Sequence, residues 1–114
     1  VIPNTTLAKI GKSILKELEI NLTSQPLNRF GSGASTDFGN VSHEMPSYAF
    51  NFAVSEEPVA GHSTEMEKAS ISDLAHNNAI AISKGISATA LTLLEDADQF
   101  NKSKLEFEKR KNYK

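Results

Sequence analysis

Apolar residues near the start of the chain recur at steps of three and four, the spacing of an amphipathic helix. They are Leu7, Ile10, Ile14 and Leu18. This spacing predicts a first helix over about 5–19. Asn4, Thr5 and Thr6 come just before it and are its possible N-caps. Gly11 costs about 1 kcal/mol relative to alanine inside a helix, and it indicates either a close packing contact or simple tolerance.

Helical spacing returns in the second half of the chain. Ser70 followed by Asp73 is a plausible capping pair for a long alanine-rich helix over about 73–94. Its apolar stripe consists of Ala75, Ala79, Ile82, Ile86, Ala90 and Leu93. A last helix is predicted over about 96–110, because an acidic start and a basic finish complement the helix dipole. A short helix over about 63–70 precedes them.

Large and small side chains alternate strictly between Tyr48 and Val54. A period of two residues predicts a β-strand over about 48–54. One strand is not stable alone, because its backbone edges need neighbouring strands. The chain also opens on Val1 followed by Ile2, as if an extended segment were interrupted. We therefore expect a fragment of a larger protein that holds the rest of the sheet.

An irregular segment rich in Asn, Ser, Pro and Gly over 21–39 separates the first helix from the strand. A loop of this length is usually functional or connects two domains. Within it begins a glycine- and hydroxyl-rich stretch, 31–42, whose backbone N–H groups could approach an anionic or carbonyl group closely. From composition alone, a flexible linker or a capping turn explains the same stretch.

Composition and charge narrow the class of partner. The 114 residues are 39% hydrophobic, which is enough for a modest core, and 14 acidic against 12 basic side chains give a net charge of −2. Such a balance attracts neither nucleic acid nor an anionic membrane. No apolar run approaches the roughly 20 residues that span a bilayer. We therefore expect a cytoplasmic protein that binds no nucleic acid and no membrane.

Histidine supplies the candidate metal chemistry, because the chain has no cysteine and any metal must be held by imidazole and carboxylate. His62 lies between the predicted strand and the next helix, with Glu65 three residues later. Two residues are too few for a metal site, and an ordinary surface histidine is the alternative. His43 with Glu44 is a second candidate pair, whereas His76 is expected to be a solvated helix residue. The basic end at Lys109, Arg110 and Lys111 is interpreted as a solvated helix terminus.

Two segments resemble active-site motifs of the M20 metallopeptidases and amidohydrolases. Residues 34–47, ASTDFGNVSHEMPS, are similar to the family segment G-S-T-D-x-G-N-V-S-x-x-x-P. Residues 61–66, GHSTEM, are similar to G-x-H-[ST]-x-x-[FM] and follow in the family's order. The closer resemblance is to the branch of aminobenzoyl-glutamate hydrolase-like enzymes and M20 domain-containing dipeptidases. Ala34 departs from the pattern, since the family commonly has glycine there.

The resemblance implies an α/β fold in which the chain is the C-terminal part of an α/β/α sandwich catalytic domain. Residues 1–20 would end an inserted lid or dimerisation domain, and 21–114 would belong to the catalytic domain. The implied activity is hydrolysis of an amide bond in a small dipeptide-like or N-acyl-amino-acid substrate. The full-length protein would be a homodimer, and the isolated chain would be inactive.

The same resemblance implies roles for individual residues. His62 would be the last ligand of a divalent metal, which is zinc in the first instance and manganese or cobalt otherwise. The implied substrate-binding residues are Ser35, Thr36, Asp37, Asn40 and Ser42. The general base and the other ligands would lie upstream of this segment. The alternative is a small non-enzymatic α+β protein-interaction module, in which His62 is incidental.

Overall fold

The computed structural model describes residues 1–20 and 36–111, and the secondary structure of this part of the chain is helical. Its elements, in order, are α1 (Thr5–Glu17), α2 (Phe38–Glu44), α3 (Thr64–Ser70), α4 (Asp73–Glu95) and α5 (Ala97–Lys111). Helices α1, α4 and α5 pack on one another, and α3 packs on α4. None of the helices in the described ranges has both the length and the apolar character needed to cross a bilayer.

The core is small and lies mainly between α1 and α4. Its buried apolar side chains are Ile10, Ala75 and Ile82. The two helices approach closely at Gly85, where an added Cβ atom would lie 2.7 Å from Cδ2 of Leu15. A side chain at Gly85 would therefore force Leu15 to move, so the glycine allows this helix pair to pack tightly.

Gly11 allows a second close contact, between α1 and an aromatic side chain. A Cβ atom there would lie 2.5 Å from Cζ of Phe50, so the aromatic ring sits directly on the helix backbone. Tyr48 packs edge-on against Phe50 with 5.0 Å between the ring centroids. Of the two explanations that the sequence left open for Gly11, the structure shows the close packing contact.

The predicted α/β/α sandwich is wrong for the described residues, which contain no strand and no sheet. Residues 48–54 form no β-ladder, although they carry the alternating pattern. Side chains take the place of strand neighbours: Asn78 Nδ2 donates to the Ala53 carbonyl at 2.8 Å, and Ser72 Oγ donates to the Val54 carbonyl at 3.3 Å. The alternation of large and small side chains shows only that the segment has two different faces. A β-strand also requires a second extended segment with which to pair.

Helix α2 lies at the junction where the irregular stretch was expected to give way to the strand. Residues 38–44 include Gly39, Asn40 and Ser42, all weak helix formers. Its N-cap, Asp37, makes no side-chain capping bond. No apolar periodicity marks so short a helix, which explains why the sequence pattern did not predict it.

The start of α1 is held by side chains from two directions. Asn4 is the N-cap, and its Oδ1 accepts a hydrogen bond from Leu7 N at 3.1 Å. Glu106 of α5 accepts from the backbone N–H groups of Thr5 and Thr6 at 2.6 and 3.0 Å, and also from both threonine hydroxyls. A carboxylate thus lies at the positive end of the α1 dipole. Arg110 pairs with the same carboxylate at 3.6 Å.

This contact predicts a pH-dependent contribution of Glu106 to stability. Burial raises the pKa of Glu106, but the hydrogen bonds from Thr5 and Thr6 outweigh it and hold the pKa below 4.5. A carboxyl group with a lowered pKa stabilises the fold above its unfolded-state pKa, and this stability is lost as pH falls through the lowered value. We expect Glu106→Gln to lower the free energy of unfolding by about 1 kcal/mol at pH 7.

Urea unfolding between pH 3 and pH 7 tests this expectation. The difference between the unmodified protein and Glu106→Gln should shrink as the pH falls below the ordinary pKa of the carboxyl group. Glu108→Gln is the matched control, because Glu108 is exposed on the same helix. A difference that does not change with pH, or one that Glu108→Gln reproduces, would contradict the assigned role of Glu106.

Candidate functional site

Three of the predicted substrate-binding residues lie together at the first turn of α2. The Phe38 N–H donates to Thr36 Oγ1 at 3.2 Å, and the Asn40 N–H donates to the Asp37 carbonyl at 2.9 Å. Thr36, Asp37 and Asn40 are all exposed. Their polar groups are therefore accessible to a ligand at this end of the helix. Ser35, another predicted substrate-binding residue, lies outside the described residues.

Ser42 differs from the other motif residues because it is turned into the fold. It is only 2% exposed. Its hydroxyl donates to the Gly39 carbonyl at 2.8 Å and accepts from the Ile2 N–H at 2.9 Å. Both partners are backbone groups, so Ser42 fastens α2 to the N-terminal segment. Its contribution to a ligand site is to hold α2 in place.

His62 lies in the turn that precedes α3. Its backbone has a φ of 55°, a left-handed conformation that is uncommon for residues other than glycine. The following residue, Ser63, fixes the turn: its hydroxyl donates to the Ala60 carbonyl at 2.6 Å and accepts from the Met66 N–H at 3.1 Å. The histidine is exposed. The turn therefore presents an accessible imidazole on a well-braced backbone, the kind of outlier that often marks functional positions.

A metal ion needs more ligands than this turn provides. Within residues 1–20 and 36–111, no group of three or more histidine, cysteine or acidic side chains is arranged to hold a metal. A zinc site takes at least three protein ligands, so His62 and its surroundings in the described ranges do not make one by themselves. Helices α2 and α3 do not pack extensively on each other in the described part. The polar turn of α2 and the histidine therefore remain two separate candidate features.

A crevice that the sequence did not predict lies where the N-terminal segment, the end of α2 and the end of α5 meet. It is lined by Ile2, Asn4, Ser42, His43, Met45, Pro46, Ser47, Phe107, Arg110 and Lys111, and its volume is about 30 Å³. The sequence pattern predicts that the basic residues of α5 are a solvated helix terminus. No local spacing connects them with His43, because the two parts are more than 60 positions apart and meet only through the fold.

Comparison with known proteins adds no relative. The chain matches no protein-family model, and no significant match was found to a curated protein or to a solved structure. Any assignment of function must therefore be carried by the chemistry of the residues and by the resemblance of the two motifs.

Proposed function

We propose that this chain contributes to a metal-dependent amidohydrolase or peptidase of the M20 type, which hydrolyses an amide bond in a small dipeptide-like or N-acyl-amino-acid substrate. The observation that carries the proposal is His62: an accessible imidazole on a strained, braced turn, inside a segment that resembles the metal-ligand motif of that family. Neutral imidazole is a preferred ligand of zinc and of neighbouring divalent metals.

The other residues of the proposal have roles that follow from their positions. Thr36, Asp37 and Asn40 offer exposed hydroxyl, carboxylate and amide groups that can hydrogen-bond the polar ends of a peptide-like substrate. Ser42 holds the helix that carries Asn40. A bound divalent metal would supply Lewis acidity toward the scissile carbonyl and toward water. The remaining ligands and the general base belong, in this proposal, to residues outside the described part of the chain.

The proposed homodimer rests on the same resemblance. The proposed cytoplasmic location rests instead on the sequence, which has no apolar run long enough to span a bilayer. The absence of an α/β sandwich in the described residues removes the fold as support, so the proposal depends on the motifs and on His62 alone.

Metal removal tests the proposed activity. We expect a protein that carries this chain to release free amino acid from a panel of N-acetyl amino acids and dipeptides. Dialysis against a chelator should abolish this release, and zinc, manganese or cobalt should restore it. Hydrolysis that is indifferent to the chelator, or the absence of hydrolysis across the whole panel with metal added, would reject the proposal.

A second candidate function is protein–protein interaction, and one observation favours it. Helix α4 leaves large apolar side chains exposed, which are Ile80 at 49%, Ile86 at 48%, Leu91 at 53% and Leu94 at 85%. A helix that is apolar on most of its faces is usually buried. If interaction were the whole function, the metal content and the chelator would have no effect on it, which separates the two candidates.

A further inference from the structure

The crevice between the N-terminal segment, α2 and α5 combines an apolar lining with cationic side chains. Ile2, Met45 and Phe107 provide apolar walls, and Arg110 and Lys111 provide positive charge. None of the described residues that line it is acidic. The Glu106 carboxylate lies 3.6 Å from the Arg110 guanidinium and offsets one of the two positive charges. The crevice therefore keeps one net positive charge, from Lys111, which favours an anion although the chain as a whole carries a charge of −2.

The cations are held near the crevice by contacts within the fold. The Arg110 guanidinium donates to the Pro3 carbonyl and lies 3.6 Å from the Glu106 carboxylate, which leaves further N–H donors of its five for a ligand. The Lys111 ammonium lies over the Phe107 ring, 5.9 Å from its centroid. A ligand would thus meet positive groups whose positions are already restricted, which lowers the entropic cost of binding.

The buried polar residues of the crevice are already satisfied. Asn4 Nδ2 donates to the Ser103 carbonyl at 2.9 Å, and the Ser47 hydroxyl donates to the Met45 carbonyl at 2.9 Å. Asn4 and Ser47 therefore have a structural role in the crevice. The side chains that remain to bind a ligand are the exposed His43 and the two cations. A volume of about 30 Å³ has room for roughly two water-sized groups, which is the space that the two oxygens of a carboxylate occupy.

We propose that this crevice binds small monocarboxylates with an apolar tail. The carboxylate lies beside Arg110 and Lys111, and the tail covers Ile2 and Met45 at the mouth. A carboxylate satisfies the guanidinium and ammonium donors with charge-assisted hydrogen bonds, which neutral groups do not match. The site makes no use of His62 or of a metal, so it stands or falls independently of the proposed hydrolase.

Benzoate and its neutral analogue benzamide are the probes for this site. We expect benzoate, titrated into the ¹⁵N-labelled protein without added metal, to shift the amide resonances of Ile2, Ser47 and Lys111 saturably. Benzamide should bind about tenfold more weakly, the ratio expected when a charge-assisted hydrogen bond is lost. Equal shifts with both probes, or no saturable shift with benzoate, would overturn the proposal.

Charge variants locate the site on α5. Lys111→Gln should raise the benzoate dissociation constant severalfold. The matched control is Lys109→Gln, which removes the same charge from the same helix end at a residue that does not line the crevice. An equal loss of affinity in Lys109→Gln and Lys111→Gln would mean nonspecific charge attraction and would also overturn the assigned site.

Discussion

Replacing His62 with alanine is expected to weaken binding of the proposed divalent metal by more than about 100-fold, because even residues that only orient a metal ligand contribute 10- to 100-fold to affinity. The truncation removes the imidazole and leaves the brace between Ser63, Ala60 and Met66 intact. Metal content after exhaustive dialysis, together with amide hydrolysis at saturating metal, measures the effect. We expect both quantities to fall together.

His76→Ala is the matched control for this change. His76 is exposed on α4, and its replacement by alanine should leave metal content and activity unchanged. A third variant, His62→Gly, relieves the left-handed backbone and still removes the imidazole. If His62→Ala kept its full metal content, His62 would not be a ligand. A loss in His62→Ala that His62→Gly restored would assign the residue to the turn and not to the metal.

The helices α4 and α5 could be predicted from the local sequence pattern. The stripe of α4 predicted a helix over 73–94, and the structure has Asp73–Glu95; the last helix, expected over 96–110, is Ala97–Lys111. Ala75 and Ile82, both on the predicted stripe, are core residues. Helical periodicity is a dependable guide here because every hydrogen bond of a helix is made within the segment that carries the pattern.

The segment 48–54 shows why the rest could not be predicted in the same way. The alternating pattern concerns the side chains only, and one of its large side chains, Phe50, packs on Gly11. Whether the backbone enters a sheet depends on a partner far away in sequence, which no local pattern specifies. The prediction of α/β architecture relied on such a partner, and the described residues do not contain one.

The same distinction between local sequence pattern and long-range contacts applies to the candidate sites. His62 could be selected from its motif, but the left-handed turn that presents it was not visible in the sequence. Ser42 was predicted to assist a ligand, and its burial against the Ile2 N–H could not be foreseen because that contact joins positions 40 residues apart. The crevice between the N-terminal segment, α2 and α5 is formed only by such contacts. A site that is formed by residues far apart in the sequence can be identified only when the fold is known.

Asn4→Ala should be the most destabilising single change at the start of the chain, because Asn4 makes contacts to three parts of the molecule. Its side chain caps α1 through Leu7 N and donates to the buried Ser103 carbonyl on α5, and its backbone N–H donates to the Ser47 carbonyl. Alanine keeps only the last contact. Loss of a cap costs about 1 kcal/mol, and loss of the hydrogen bond to the Ser103 carbonyl, which keeps its partner within α5, costs about 1 kcal/mol more.

We therefore expect Asn4→Ala to lower the free energy of unfolding by about 2 kcal/mol, a large share of the stability of a small domain. Asn4→Ser should lose about half as much, since serine restores the cap and cannot reach the Ser103 carbonyl. Urea unfolding followed by circular dichroism measures all three proteins, with Asn77→Ala on the exposed side of α4 as the control. An Asn4→Ala protein as stable as Asn77→Ala would show that the junction of the N-terminal segment with α5 contributes nothing to the fold. The graded order alanine, serine, asparagine is the result that identifies two separable contacts, because a cap alone would make serine equal to asparagine.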